Sequence, residues 1–390
     1  MFPFSFHFCA IIFTLNFMPV RIGVLLPRST EYPSMAFDLL DGLRLNMKRM
    51  GKDVQFHTEN IGFGEDHDHT NARAEKLVLQ DDVDMIVAYS TSLNAEMLYS
   101  FADTANKPFL FIDAGMELFE AAPHRLCRHL TLQGLMGCNF LGERAGAGGR
   151  KVISAASFFD GGYRSSWVFQ NGIIKNGGSI VGHFVSQHLP EEFTIVPMVE
   201  LISKYEAQAV TAAFSSYFDE LFMKALGAID PSARNVPFYC SPFMADEQLL
   251  GSIPFPGGDF HTVAPWSATL DNEENSLFKG TIQKEKNKPA NIFHLLGWEA
   301  AIAAAQIISE GITSVDGWSF ESPRGKVHFH PETHNAYAPM YEGRIEKGQQ
   351  GECRLSIDTT LNVTAEEHRQ LHFAKPEGSY SRWKNNYFCI

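Results

Sequence analysis

Cysteine is scarce: six residues in a chain of 390. No two are spaced C-x-x-C, so neither a zinc ribbon nor a thioredoxin-type redox motif is indicated. Cys127 and Cys138 are close enough in sequence to pair, or to stand as two separate apolar side chains. Positive charge is also short. Lys and Arg total 32 against 45 Asp and Glu, a net charge of −13. Phosphate backbones are gripped by positive charge, so a generic DNA or RNA binder is disfavoured, as is charge-driven attachment to an anionic membrane. Beyond the first 18 residues no uninterrupted apolar run reaches membrane-spanning length. G-x-S-x-G, H-E-x-x-H and the P-loop pattern are all missing, and the carboxylates are too dispersed to nominate a catalytic pair. A triad assembled from distant positions leaves no such motif, so an enzyme stays open as an alternative.

A chain of this length suits two or three domains and buries a core without staples. The 45% hydrophobic and 20% charged content is that of a soluble globular protein. Residues 1–19 read as an export signal. Phe8 to Phe17 is the right length for its apolar centre, although a basic start and an A-x-A cleavage site are lacking. A mature chain beginning near Met18 to Val20, in the periplasm or otherwise exported, is expected.

From there strands and helices alternate. Val20 to Leu26 is a buried-type strand. Ser34 is placed to cap a helix whose apolar face would use Phe37, Leu40, Leu43 and Met47. Strands follow at Val54–His57, Asp84–Ala88 and Pro108–Ile112, with helices near 72–80 and 92–105. The rhythm resumes after about residue 134, with strands at 151–157, 179–185, 209–213, 236–240 and 261–264. Such alternation marks parallel sheets covered on both faces, and two successive runs mark two lobes of similar build. The Ala-rich helix Ile292 to Ser309 must pack on one lobe. Lys326 to His330 alternates, and Tyr337 to Ile345 is placed to pair with it antiparallel.

The glycine-rich stretch Gly142 to Gly149 follows a helix and precedes a strand. That is the wrong order for a dinucleotide fingerprint, so it reads as a turn. His67-Asp68-His69 falls in a polar loop. His328 and His330 share a strand face, a weak metal signal set against solvated surface histidines. No cofactor or metal is expected.

In open α/β sheets ligands collect at the carboxyl ends of the strands. Those loops here are Arg28-Ser29-Thr30-Glu31-Tyr32, Tyr89-Ser90-Thr91-Ser92-Leu93-Asn94 and Asp113-Ala114-Gly115-Met116. In the second run they are Phe158 to Tyr163, Ser215-Ser216-Tyr217 and Ser241-Pro242-Phe243. Small hydroxyls mixed with aromatic rings and helix N-termini make a small-molecule cleft.

Three stretches carry a family resemblance. They are Ile22 to Pro27 with Asp41-Gly42-Leu43; Asp84 to Ser92 with Lys107-Pro108-Phe109 and Asp113-Ala114-Gly115; and Phe320 to Val327 followed by His330-Pro331-Glu332-Thr333-His334-Asn335 and Pro339-Met340-Tyr341. The chain resembles the type I periplasmic solute-binding proteins, in the branch serving importers of branched-chain amino acids, amides and urea. The likeness covers about 20–346. It implies an α/β fold of two Rossmann-like lobes with parallel sheets, joined by three hinge crossovers. Lobe I would comprise 20–133 plus 265–322, and lobe II 134–264 plus 323–346. Residues 347–390 form an extension of unclear placement. It further implies closure around a small solute, delivery to the membrane permease of an ABC importer, and no chemistry on the ligand. The site residues it implies are Tyr32, Ser90, Thr91, Ser92, Asp113, Gly115 and Met116 from one lobe. From the other come Asp160, Tyr163, Tyr217 and Phe243. Phe243 falls where amino-acid binders place an acid for the ligand's ammonium group. Either Asp160 or Asp219 substitutes, or the solute is an amide, a small aromatic acid or a neutral molecule. A cytoplasmic amide-sensing regulator of the same fold is the alternative of a different kind. Oligomeric state is not readable.

Overall fold

The computed structural model describes residues 19–376 and 383–389. The apolar segment 1–18 lies outside the described residues. A first sheet is built from β1 (Val20–Leu26), β2 (Val54–Asn60), β3 (Met85–Tyr89), β4 (Phe109–Asp113) and β5 (Cys127–Thr131). Between them run α1 (Met35–Arg49), α2 (His67–Leu79), α3 (Ser92–Met97) and α4 (Tyr99–Ala105). The strand order is β2-β1-β3-β4-β5 and every pairing is parallel.

The second run carries α5 (Gly134–Gly146), β6 (Lys151–Ala156), α6 (Ser165–Lys175), β7 (Ser179–Val185) and α7 (Val196–Tyr205). It continues with β8 (Ala209–Ala213), α8 (Tyr217–Ala228), β9 (Phe238–Cys240), α9 (Glu247–Leu250) and β10 (Phe260–Ala264). Then α10 (Glu273–Lys286) and α11 (Ile292–Glu310) return to the first sheet, where α11 packs on α1, β3, β4 and β5. A small antiparallel sheet follows, of β11 (Ser319–Ser322), β12 (Gly325–Phe329) and β13 (Ala336–Tyr337). Finally β14 (Met340–Lys347) and β15 (Cys353–Leu361) complete the second sheet, before α12 (Ala365–His372). That sheet has the order β15-β14-β10-β9-β8-β6-β7, parallel from β7 to β10 and antiparallel beyond. The architecture is thus two α/β lobes, one sheet wholly parallel and the other parallel over β7, β6, β8, β9 and β10.

Every residue of β3, β4 and β5 is buried, as a sheet with helices on both faces requires. The strand β5 escapes a hydropathy reading because it reads Cys-Arg-His-Leu-Thr. Its polar groups are paired instead of solvated. Arg128 binds Asp316 through Nε and Nη2 at 2.7 and 2.8 Å, and His129 Nε2 meets the Tyr99 hydroxyl at 2.8 Å.

The inner face of α1 differs from the expected one. Phe37 is 69% exposed, while Met35, Asp38, Leu39, Gly42, Leu43, Asn46 and Met47 are buried. Polar and small residues face inward because α11 lies so close. A Cβ on Gly42 would sit 2.1 Å from the His294 carbonyl oxygen, and one on Gly297 2.0 Å from that of Leu39. Asn46 Nδ2 donates to the Trp298 carbonyl at 2.7 Å. Ser34 forms no cap bond; its hydroxyl donates to Asp38 Oδ2 at 2.9 Å. His67 to His69 form not a loop but the first turn of α2, capped by Asp66, which accepts from His69 N–H at 2.9 Å. Beyond Tyr337 the chain abandons β12, and β14 joins β10 instead. Cys127 and Cys138 are both free and buried. The helix α11 has the length and apolarity of a membrane span, but 78% of it is buried inside the protein.

The Ser322-Pro323-Arg324-Gly325 turn anchors this frame. Arg324 is fully buried and grips Glu299 of α11 with Nε and Nη2, both at 2.8 Å. Its Nη2 also donates to the Thr131 carbonyl at 3.0 Å, tying the turn to the end of β5.

Candidate ligand-binding cleft

The loops at the strand ends of both lobes converge on one place, and the chain's own residues 383–389 lie in it. Asn386 is the centre of the polar contacts. Its Oδ1 accepts from Thr91 N–H at 3.0 Å and from Asn94 Nδ2 at 2.9 Å, and its Nδ2 donates to the Tyr89 carbonyl at 3.2 Å. Thr91 sits at the head of α3, so its N–H is one a helix start leaves free. The Thr91 hydroxyl is farther, at 3.4 Å, so the backbone does the binding.

On the opposite wall, Asp160 stands in the loop after β6. Its Oδ2 accepts from the Ser157 hydroxyl at 2.6 Å and from the Ser215 N–H and hydroxyl at 2.8 and 3.1 Å. Its Oδ1 is left for the Tyr387 hydroxyl, which donates at 2.8 Å. Tyr163 packs edge-on to the Tyr387 ring, with centroids 4.8 Å apart, and Phe243 lies 5.5 Å away. Phe388 fills the neighbouring space against Tyr32, Phe243 and Phe293 at 5.1, 4.9 and 5.6 Å. Asp160, Thr91, Tyr32, Tyr163 and Phe243 therefore meet around one occupant.

The other expected residues play different parts. Ser90 and Ser92 spend their hydroxyls on the Thr91 and Leu118 carbonyls. Asp113 Oδ1 accepts from Gly115 N–H at 3.0 Å. Gly115 takes φ +72°, and a Cβ there would press on Gln133 N at 2.9 Å, so the turn demands glycine. The Met116 carbonyl accepts from Arg164 N–H at 3.3 Å, a backbone link between the lobes. Tyr217 is 48% exposed at the head of α8, so the expectation that it closes over the occupant is the least supported.

Beside the occupied cleft is a cavity of about 50 Å³, lined by Ser92, Asp113, Gln133, Asn335, His368 and His372 among others. Gln133 Nε2, Asn335 Oδ1 and His372 Nδ1 are buried with no hydrogen-bond partner among the described residues. The cavity's last wall comes from α12, in the region beyond 346 whose placement the sequence left open.

Burial sets the electrostatics here. It pushes the Asp113 carboxyl up to about 8, with Glu117 adding repulsion. It raises Glu31 to about 7, with Asp160 nearby, and Asp246 to about 6. Asp160 is raised by burial despite its serine and tyrosine donors, and burial drives Asp219 far above the carboxylate range. His368 and His372 are depressed by burial to about 3 and about 4, so both are neutral at pH 7. A cleft of this kind disfavours an additional negative charge.

Among the described residues, one side-chain group is placed to share a metal ion. Asp38, Asp41 and His294 are close enough to share an ion, but Lys288 and Lys286 already pair with the two carboxylates. His330 is buried, not a solvated surface residue, and its Nδ1 accepts from the Glu332 and Thr333 N–H groups at 3.2 and 3.3 Å.

Comparison with known proteins fits this geometry. The periplasmic binding protein family model matches residues 19–350. The chain belongs to the periplasmic binding protein family. A Leu/Ile/Val-binding protein homolog 6 from Brucella suis is 20% identical over 348 residues, spanning 85% of this chain and 89% of the relative. Among solved structures, an ABC transporter substrate-binding protein from Sphaerobacter thermophilus superposes with a TM-score of 0.77 at 18% identity, covering 88% of this chain and 98% of that one. A solute-binding protein from Rhodopseudomonas palustris BisB5, in complex with 3,4-dihydroxybenzoic acid, gives a TM-score of 0.71 at 18% identity, covering 88% and 97%. These likenesses establish the fold.

Several residues of this periplasmic binding protein's cleft were not singled out from sequence. Tyr89 and Asn94 bracket the nominated Ser90–Ser92, and Gly162 stands beside Tyr163, so the loops were found but not the contacts. Ser29 was quoted only as part of its loop. Nothing in the periodicity pointed to residues 383–389.

Proposed function

We propose that this chain is the solute-binding component of an ABC-type importer, working outside the cytoplasmic membrane and handing an unaltered solute to a permease. The observation that carries the reading is the meeting of Thr91 N–H and the Asp160 carboxylate across one interlobe cleft. Family membership supports it, and lobe closure on a small guest is the motion such a frame allows.

The cleft favours a neutral or cationic group over an anion. Asp160 Oδ1, which accepts from the Tyr387 hydroxyl beside the rings of Tyr163 and Phe243, suits a hydroxyl or amide donor on a flat ring that takes that place. Thr91 N–H and Asn94 Nδ2 suit a carbonyl oxygen. An amide meets both polar demands, with its N–H toward Asp160 and its carbonyl toward Thr91, and a hydroxyaromatic ring meets the first.

A thermal-shift panel of amides, urea, amino acids and hydroxyaromatics tests the proposal. At least one member should raise Tm saturably, by mass action on the folded state, and should be recovered unchanged after prolonged incubation. A panel without a single shift overturns the solute reading. Turnover of the bound member overturns the non-enzymatic one.

A further inference from the structure

We propose that the cleft is a peptide site whose standing ligand is the chain's own Trp383–Cys389 segment, and that free solute enters by displacing it. The proposal rests on the solute-binding reading above.

The segment is recognised as a peptide, main chain included. Asn94 Nδ2 donates to the Lys384 carbonyl at 2.7 Å, and Tyr163 Oη to that of Asn385 at 3.3 Å. Tyr89 Oη donates to the Tyr387 carbonyl at 2.9 Å, and Ser29 Oγ to that of Phe388 at 2.5 Å. The Asn386 N–H donates to the Phe63 carbonyl at 2.9 Å. Buried polar groups in native proteins find partners, and these do so one after another along the segment. Asn386, Tyr387, Phe388 and Cys389 are each at most 3% exposed.

The walls are also cut to admit it. A Cβ on Gly162 would lie 1.7 Å from Trp383 Nε1, and one on Gly64 2.0 Å from Asn386 Nδ2. A side chain at Gly162 would collide with the rigid Trp383 indole, and one at Gly64 would push the Asn386 amide from its place. The contacts come from both lobes: Tyr32, Tyr89 and Thr91 from the first, and Asp160, Tyr163 and Phe243 from the second. The segment therefore holds the lobes together as a bound solute would. It forms no strand pairing with either sheet and is held by loop side chains and backbone groups, so it can leave without breaking a sheet.

A tethered ligand acts at an effective concentration of order mM. If it fills the cleft about 99% of the time, the apparent affinity of any competitor falls by about 100-fold.

The test uses the full chain and a synthetic peptide of the sequence of residues 383–389. The variant carries Asn386→Ala, Tyr387→Ala and Phe388→Ala; Asn386→Ala alone serves if the triple variant misfolds. The peptide should bind the variant saturably and about 100-fold more tightly than the unmodified chain. Equal affinity for the two forms, or binding to neither, overturns the proposal. The solute panel separates this proposal from the function on which it rests. Peptide binding with a silent panel, run on both forms, supports the peptide site and overturns the small-solute reading. A solute that binds both forms with equal affinity upholds that reading and overturns displacement.

Discussion

The Tyr387 hydroxyl donates to Asp160 Oδ1 at 2.8 Å, joining the C-terminal segment of the chain to the loop that follows β6. Asp160 is held ready for this bond by Ser157 and Ser215, which saturate its other oxygen. The carboxylate is thus fixed in direction before any ligand arrives, and a preorganised acceptor costs the ligand little ordering.

The buried pair Arg324–Glu299 is expected to be the most sensitive point of the frame. Both side chains are fully buried, and removing one partner strands a charge in the interior. Glu299→Leu or Arg324→Met should each lower unfolding free energy by about 3–5 kcal/mol. The double change to apolar residues should recover much of that loss. Chemical denaturation of the three variants checks it; additive losses in the double variant would count against the ion pair as the cause.

Asp113 sets a pH dependence. Burial raises its carboxyl from 3.8 to about 8 in the folded chain. The folded state therefore holds this proton more tightly than the unfolded state does. As pH rises from about 4 to about 8, the unfolded chain releases the proton first, and stability drains away across that window. Asp113→Asn keeps an oxygen for the Gly115 N–H and cannot titrate. Its Tm should exceed that of the unmodified chain at pH 8.5 and converge with it near pH 4. Parallel Tm profiles with no convergence would mean that Asp113 is not protonated in the folded protein.

The sequence conveyed the fold better than the site. Alternating apolar runs such as Met85–Tyr89 and Phe109–Asp113 are strands buried on both faces, and their pattern survives any neighbour. Elements whose polar residues are paired across the molecule carry no such mark. The strand β5 hides Arg128 and His129 behind Asp316 and Tyr99. The helix α10 buries little beyond Asn275, Phe278 and Ile282, a stripe too narrow to stand out in a polar stretch. The inner face of α1 was misread at Phe37 because Gly42 and Asn46 face inward for contact with α11, not for hydrophobicity.

At the cleft, strand-end loops were readable because α/β topology dictates where they gather. The roles within them were not. Thr91 acts through its N–H, which any residue but proline would offer. Ser92 turns its hydroxyl to the Leu118 carbonyl, and Tyr217 stands half in solvent. The partner of these loops lies some 290 positions away, Asn386 against Thr91 and Asn94, and no local pattern encodes a pairing of that range.

The most direct measurement is a crystal structure of the full chain with the tightest solute from the panel. The account predicts the solute between Thr91 N–H and the Asp160 carboxylate, with Asn386, Tyr387 and Phe388 withdrawn from their present contacts. A solute seated elsewhere, for instance in the cavity beside Gln133 and His372, with Tyr387 still bonded to Asp160, would contradict it.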